Sequence, residues 1–297
     1  MNLLVTGAWR CTREQLDDLG RMGHHVFFLQ QEADALPLAY EQVEGVICNG
    51  LFLRHPIEKF TNLRYIQLTS AGFDRVPMDY VESHGIEIHN ARGVYSIPMA
   101  EFAISGVLQL YKQSRFFMDN QRQRRWEKHR GLVELYGRQV CVVGCGSVGT
   151  ECAKRFSAFG CRVVGVDLYP RADANYARME RLERLDAVLP ESDIVVLTLP
   201  LTGESRHLMN SSRLEKMKPG AVLVNIARGG VVDTAALTDW LRDGRGAAVL
   251  DVFEEEPLDA ASPLWEMENA ILTPHNSFVG DGNQDRLYKV IKGNLGG

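Results

Sequence analysis

The sequence predicts an α/β protein made of doubly wound parallel sheets and divided into two domains. Three observations carry that prediction. Short apolar, β-branched runs alternate with helical stretches over most of the chain, and such alternation calls for crossover connections, which give parallel sheets with helices on both faces. Most of these runs are bounded by Gly, Pro, Asp or Asn, as strands buried on both faces should be. The chain has 297 residues, enough for two domains at about 150 residues each. Hydrophobic residues make up 45% and charged residues 24%, so cores form without metal or disulfide staples.

In chain order the expected strands cover residues 3–6, 45–48, 65–68, 86–89, 140–143, 162–166, 194–199, 221–225, 247–251 and 270–273. Thr12 and Gln15 form a capping box that opens a helix, and Asp233 caps a helix over 234–242 that stops at Gly244. The domain boundary is expected at Ser96-Ile97-Pro98, with a long apolar-faced helix over 101–112 leading into the second sheet. Further helices are expected over 147–159 and 285–291.

A net charge of −5 and a pI near 5.9 argue against a general nucleic-acid binder. Residues 122–130 hold five Arg/Lys around Trp126, which on so acidic a chain reads as a solvated helix face or loop. No apolar run reaches the length of a membrane span. The start lacks the basic and apolar regions of a signal peptide and reads as a first strand, which leads to the expectation of a cytoplasmic protein. Six cysteines without a Cys-x-x-Cys pair read as reduced thiols, and no metal site is expected.

The sharpest local signal is Val140-Cys141-Val142-Val143-Gly144-Cys145-Gly146-Ser147-Val148-Gly149. A strand runs straight into Gly-x-Gly-x-x-Gly and a helix follows. Gly144 permits the tight turn, Gly146 lets backbone approach a pyrophosphate, and Gly149 allows close helix–strand packing. Amides at the helix start, Ser147 and Val148 among them, then hold the diphosphate at the positive end of the helix dipole. The next strand ends at Asp167, about 18 residues beyond Gly149, where a carboxylate accepts from both hydroxyls of an adenosine ribose and repels a 2′-phosphate. NAD is therefore favoured; Arg171 close by keeps NADP as the lesser option.

Three later strands each end in a chemically loaded residue. Residues 221–225 run into Arg228, 247–251 into Glu254-Glu255-Glu256, and 270–273 into Pro274-His275. In a parallel sheet all three groups share the edge where ligands bind. Each residue alone has an ordinary structural reading; their shared place beside a dinucleotide turn favours chemistry. Reducing a 2-oxo acid needs a hydride donor, an acid for the forming alkoxide and a cation for the carboxylate. Histidine titrates near neutrality, a neighbouring carboxylate favours its imidazolium, and arginine offers a planar fork to carboxylate and carbonyl oxygens.

At these residues the sequence resembles the NAD-dependent D-2-hydroxyacid dehydrogenases, from about residue 66 to residue 286. The motifs match in order: Thr69-Ser70-Ala71-Gly72-Phe73-Asp74, Asn90-Ala91-Arg92-Gly93 with Met99-Ala100-Glu101, the Gly144–Gly149 turn with Asp167, and Leu199-Pro200-Leu201-Thr202. Then come Asn225-Ile226-Ala227-Arg228-Gly229-Gly230, Asp251-Val252-Phe253 with Glu256-Pro257, and Ser262-Pro263-Leu264-Trp265 with Thr273-Pro274-His275.

The resemblance implies Arg228 as substrate-binding arginine, His275 as acid–base and Glu256 as its partner. It also implies carboxylate binding by backbone amides around Ala71 and Gly72, and cofactor contacts at Thr198, Pro200, Ala227 and Asp251. Members fold as two Rossmann- or flavodoxin-like domains with the active site in the cleft, and homodimers form through the cofactor domain. On this basis residues 1–98 plus 276–297 are the substrate domain and 99–275 the NAD-binding domain. The implied reaction interconverts a 2-oxo acid and a D-2-hydroxy acid. Two alternatives stay open: an NAD(H)-sensing interaction protein on the same fold, like the corepressors that share it, and a dehydrogenase of another carbonyl substrate.

Four departures stand out. Thr198 replaces the His that many members carry before Pro-Leu-Thr. The stretch from Arg228 to Asp251 is about one residue shorter, trimmed at Gly244-Arg245-Gly246, and Asn276-Ser277-Phe278-Val279 replaces the commoner residues after His275. The chain ends soon after the expected helix 285–291. In the weakly matching first 60 residues, Asn49–His55 follow a strand end. There Leu51 or Phe52 suits an apolar substrate side chain, and Arg54 or His55 a second acidic group.

Overall fold

The computed structural model describes residues 1–296. The chain divides into two compact units, Met1–Tyr95 with Gly280–Gly297, and Ser96–Val279.

The smaller unit comprises β1 (Asn2–Thr6), α1 (Arg13–Arg21), β2 (His25–Leu29), β3 (Gly45–Cys48), β4 (Tyr65–Leu68), α2 (Met78–Ser83) and β5 (Glu87–His89). Its five-stranded sheet has the order β2-β1-β3-β4-β5, and every pairing is parallel. Leu4, Val46, Cys48, Ile66 and Leu68 fill one face of it, and Leu3, Val5 and Ile47 the other. Thr12 caps α1 as expected: its hydroxyl accepts from Gln15 N while its own N–H donates to the Gln15 side chain.

The larger unit begins with α3 (Ser96–Tyr111) and α4 (Ser114–Arg122), then β6 (Gln139–Val143), α5 (Ser147–Ala158), β7 (Arg162–Asp167), β8 (Arg178–Arg181), α6 (Leu185–Val188) and β9 (Ile194–Leu197). It continues through α7 (Ser211–Lys216), β10 (Ala221–Asn225), α8 (Thr234–Arg242), β11 (Gly246–Leu250) and β12 (Ala270–Leu272). The seven-stranded parallel sheet has the order β12-β11-β10-β9-β6-β7-β8. Every residue of β9 and β10 is buried, and each buried Val, Leu or Ile contributes about 1.5–3 kcal/mol relative to exposure. Chain direction across the sheet reverses between β6 and β9, the switch point where ligands bind in such sheets.

The last helix, α9 (Asn283–Leu295), packs with the smaller unit. Tyr288 stacks on Trp9 at 6.0 Å, and Asp18 of α1 accepts from the Tyr288 hydroxyl and from Lys292 Nζ. Those donors, Lys292 foremost, hold the Asp18 carboxyl down at about 2.

Four elements depart from expectation. β2 and β8 are edge strands with mixed exposure and were not expected: β8 reads Arg-Met-Glu-Arg and escapes a search for apolar runs, whereas β2 carries the apolar run 26–29. α3 starts at Ser96 and takes in Pro98, tolerated in a first turn whose N–H groups have no intrahelical acceptor. α9 extends past Gly293. All six cysteines are free thiols, and burial pushes Cys145 and Cys152 up to about 12. Among the described residues no helix is long and apolar enough to cross a membrane.

Candidate active site

The turn after β6 has the shape its glycines predict. Gly144 sits at φ +93°, and a Cβ there would lie 2.7 Å from Leu199 N. A Cβ on Gly149 would lie 2.1 Å from the Gly144 carbonyl oxygen, so α5 rests directly on the turn. At Gly146 the same position has nothing within 4 Å. Open space beside the first amides of α5 is the cradle that a diphosphate requires.

Neighbouring side chains fasten this turn. Thr198 donates its hydroxyl to the Gly144 carbonyl at 2.5 Å, and Ser147 Oγ lies 2.8 Å from Ser96 Oγ. At the end of β7, Asp167 accepts from Cys145 N at 2.6 Å and Tyr169 N at 2.9 Å. Two bonds leave lone pairs on a carboxylate able to accept about four, so a sugar diol can still be held. Arg171 is exposed nearby in sequence. Val148 is half-buried in the first turn of α5. The Pro200 carbonyl accepts from Ser205 Oγ at 2.7 Å.

Arg228, Glu256 and His275 follow β10, β11 and β12, three adjacent strands. Asn225 shapes the first loop: its side chain accepts from Ala227 N at 3.1 Å and donates to the Arg228 carbonyl at 3.0 Å. Arg228 is half-buried and donates from Nη1 to the Ala227 carbonyl at 2.8 Å. His275 Nδ1 lies 2.8 Å from Glu256 Oε2, while Glu256 Oε1 accepts from Phe253 N at 3.0 Å. With Nδ1 paired to the carboxylate, Nε2 has no protein partner among the described residues. The imidazole is 43% exposed.

His275 adopts φ +50°, a conformation that costs a non-glycine residue about 1–3 kcal/mol. Its surroundings hold it there. Its N–H donates to the Asp251 carbonyl at 2.8 Å, and the fully buried Asp251 carboxylate accepts from Thr273 Oγ1, Asn276 N and Ser277 N. The Asp251 side chain thus clamps the chain on both sides of His275.

In the smaller unit Ala71 and Gly72 lie on an exposed turn whose carbonyls accept from Asn90 Nδ2 and Ser70 Oγ. Among the described residues neither amide N–H has a protein acceptor. The loop after β3 carries two of the candidate residues into the interior. Phe52 is 9% exposed and meets Phe60 edge-on at 5.8 Å, so its ring is core. His55 is 6% exposed, with its ring nitrogens 2.8 Å from the Tyr40 hydroxyl and 2.9 Å from the Glu32 carbonyl. Leu53 and Arg54 are the exposed members. The loop itself hangs on the Glu32 carboxylate, which accepts from Asn49 N and Gly50 N at 2.7 Å each.

A second histidine–carboxylate pair went unread in the sequence. His207 Nε2 lies 2.5 Å from Glu254 Oε1, and Glu254 Oε2 accepts from Thr234 N at 2.9 Å. Burial pushes the Glu254 carboxyl up, but the Thr234 and His207 bonds outweigh it and the net effect is downward.

Residues 104–277 match the model of the D-isomer specific 2-hydroxyacid dehydrogenase NAD-binding domain. An (S)-sulfolactate dehydrogenase of Chromohalobacter salexigens is 34% identical over 245 residues, covering 82% of this chain and 79% of that protein. A glyoxylate reductase of Thermofilum pendens is 36% identical over 242 residues, covering 79% and 71%. A solved D-isomer specific 2-hydroxyacid dehydrogenase family protein from Aeromonas salmonicida superposes with a TM-score of 0.82 at 31% identity, covering 98% of this chain and 93% of that one. A parallel α/β sheet with a glycine turn of this kind at its switch point defines the chain as a dinucleotide-binding protein. It belongs to the D-isomer specific 2-hydroxyacid dehydrogenase family and is an NAD-dependent enzyme of that family.

Proposed function

We propose that this enzyme reduces a short 2-oxo acid to the D-2-hydroxy acid, reversibly, with His275 as general acid–base, Glu256 as its partner and Arg228 as the substrate cation. The observation that carries the reading is the 2.8 Å contact between His275 Nδ1 and Glu256 Oε2, on a strand end next but one to that of Arg228. Bound NADH supplies the hydride that adds to the carbonyl carbon. The Glu256 carboxylate holds Nδ1 and orients the ring, so that Nε2 is the nitrogen left to exchange a proton with the substrate. Nε2 then gives its proton to the carbonyl oxygen, whose π pair becomes the new O–H bond, and the ring is left neutral. In the reverse direction neutral Nε2 takes the alcohol proton. Arg228 draws charge onto the carbonyl and carboxylate oxygens, and the amides of Ala71 and Gly72 are carboxylate donors. Pro200 and Ala227 belong with Gly144–Gly149 and Asp167 on the cofactor side.

The test is NADH oxidation with glyoxylate, pyruvate, hydroxypyruvate, 2-oxoisocaproate, phenylpyruvate and oxaloacetate, with chiral analysis of the product. The related enzymes are named for glyoxylate and for sulfolactate, a minimal acid and one with a second anion. With Phe52 and His55 buried, exposed Arg54 is the side chain of that loop suited to a second anion. No turnover with any of these acids, or an L-configured product, would sink the proposal.

Asp167→Asn removes the negative charge and keeps one acceptor. A hydrogen bond to a charged group is worth about 1.5–3 kcal/mol, so kcat/KM for NADH should fall about tenfold or more while that for NADPH holds or rises. An unchanged ratio would remove Asp167 from the cofactor site.

We also propose a homodimer formed through the larger unit. Trp126 is 97% exposed, in the basic segment that follows α4, and an indole so placed suits an interface anchor. Sedimentation velocity should show a dimer that Trp126→Ala shifts towards monomer; a native monomer would end this reading.

A further inference from the structure

The loop carrying Arg228 and the segment carrying Glu256 are separate pieces of chain, and His207 and Glu254 join them. Glu254 lies two residues from Glu256, on the segment whose Phe253 N–H donates to the Glu256 carboxylate. Its own carboxylate reaches across to Thr234 N at 2.9 Å, at the start of α8. His207 approaches from a third piece of chain. Its N–H donates to the Gly230 carbonyl at 2.8 Å, and its ring meets Glu254 Oε1 at 2.5 Å. Arg206 Nη2 stands 3.9 Å from the same oxygen.

Two further observations show that this junction is built to close tolerance. His207 is held at φ +50°, a strained conformation in a residue the proposed mechanism does not use. A Cβ on Gly229 would lie 1.9 Å from the Phe253 carbonyl carbon, so the arginine loop lies against the backbone before Glu254 with no room to spare. A shift of one segment is passed to the other by contact. That contact limits how closely the two segments approach beyond the paired strands, and the side-chain tie limits how far they part.

We propose that His207 and Glu254 are positioning residues, a bracket that sets the distance between the Arg228 loop and the carboxylate partner of His275. Neither touches a reacting atom. The bracket acts on the substrate cation and the proton donor together, where small displacements are costly; a shift of about 1 Å can lower a rate about 100-fold. It leaves the Gly144–Gly149 turn untouched. The inference rests on Arg228 and His275 having the roles proposed above.

The test uses the full-length enzyme and compares His207→Asn with His207→Gln. Asparagine tolerates the left-handed backbone but is too short to reach Glu254. Glutamine has the reach to restore the bond. In His207→Asn, kcat/KM for the preferred 2-oxo acid should fall about tenfold while Kd for NADH stays within about twofold, and His207→Gln should recover most of the loss. Adding His207→Asn to Arg228→Lys should cost much less than it costs the native enzyme, because groups acting as one unit lose their effects together. An unchanged kcat/KM, a parallel loss of NADH affinity, or independent effects in the double variant would overturn the bracket. Native activity in Arg228→Lys or His275→Asn would instead overturn the assignment beneath it, and the bracket with it.

Discussion

Replacing His275 should remove nearly all turnover and leave NADH binding within about twofold of native. A positioned general acid contributes about 10²–10⁴-fold, which is the size of loss expected in kcat. Two substitutions are needed because the backbone here is unusual. At φ +50°, alanine carries the strain without a side chain that suits it, so His275→Ala can disturb the loop as well as the chemistry. Asparagine accepts the left-handed conformation and cannot act as acid or base near neutrality. Similar losses in both variants locate the effect in the imidazole. The fold should survive either change, since the ring is 43% exposed and the segment is pinned by backbone bonds to Asp251. Single-turnover kinetics with NADH prebound separate the proton-coupled step from cofactor binding. A kcat within threefold of native in His275→Asn would exclude the histidine as the acid.

The parts of this protein legible in its sequence are those written in local code. Central strands such as 45–48, 65–68 and 221–225 announced themselves because both their faces are buried, and they form with those bounds. The Gly144–Gly149 turn was legible because each glycine answers a separate steric demand. Edge strand β8 was not, since its Arg-Met-Glu-Arg sequence has no apolar run. At the site, strand ends alone pointed to Arg228, the glutamates and His275. The choice of Glu256 among three glutamates came from the motif before Pro257, and Glu256 is the one whose carboxylate lies against the His275 ring. Glu254 and His207 had no such signal: they are 47 residues apart and meet only through tertiary packing. Asp251 was legible as a residue of the site, but the three donors that its carboxylate gathers around His275 were not, because they come together only in the folded chain. The burial of Phe52 and His55 was not legible either, because the core that takes them in is defined only by the folded unit.

Arg228→Lys is expected to keep the charge and lose most of the function. The guanidinium is a rigid planar fork, and one arm is already committed: Nη1 donates to the Ala227 carbonyl at 2.8 Å. That bond fixes the plane of the fork. Lysine has a single rotating ammonium that cannot hold the carbonyl and engage two substrate oxygens in one plane. Losing one charge-assisted bond made in the transition state costs about 1.5–3 kcal/mol, and losing the fixed plane as well puts kcat/KM about 100-fold down. The loop itself should stand, because Asn225 holds it through the Arg228 carbonyl and Ala227 N–H, neither of which depends on the side chain at 228. The distribution of the loss carries the argument further. If arginine only held the substrate, KM would rise and kcat would hold. If it also polarises the carbonyl, kcat must fall too, because charge on that oxygen grows between ground state and transition state. A fall in both parameters with NADH affinity unchanged is the expected result; near-native values of both would remove Arg228 from the site.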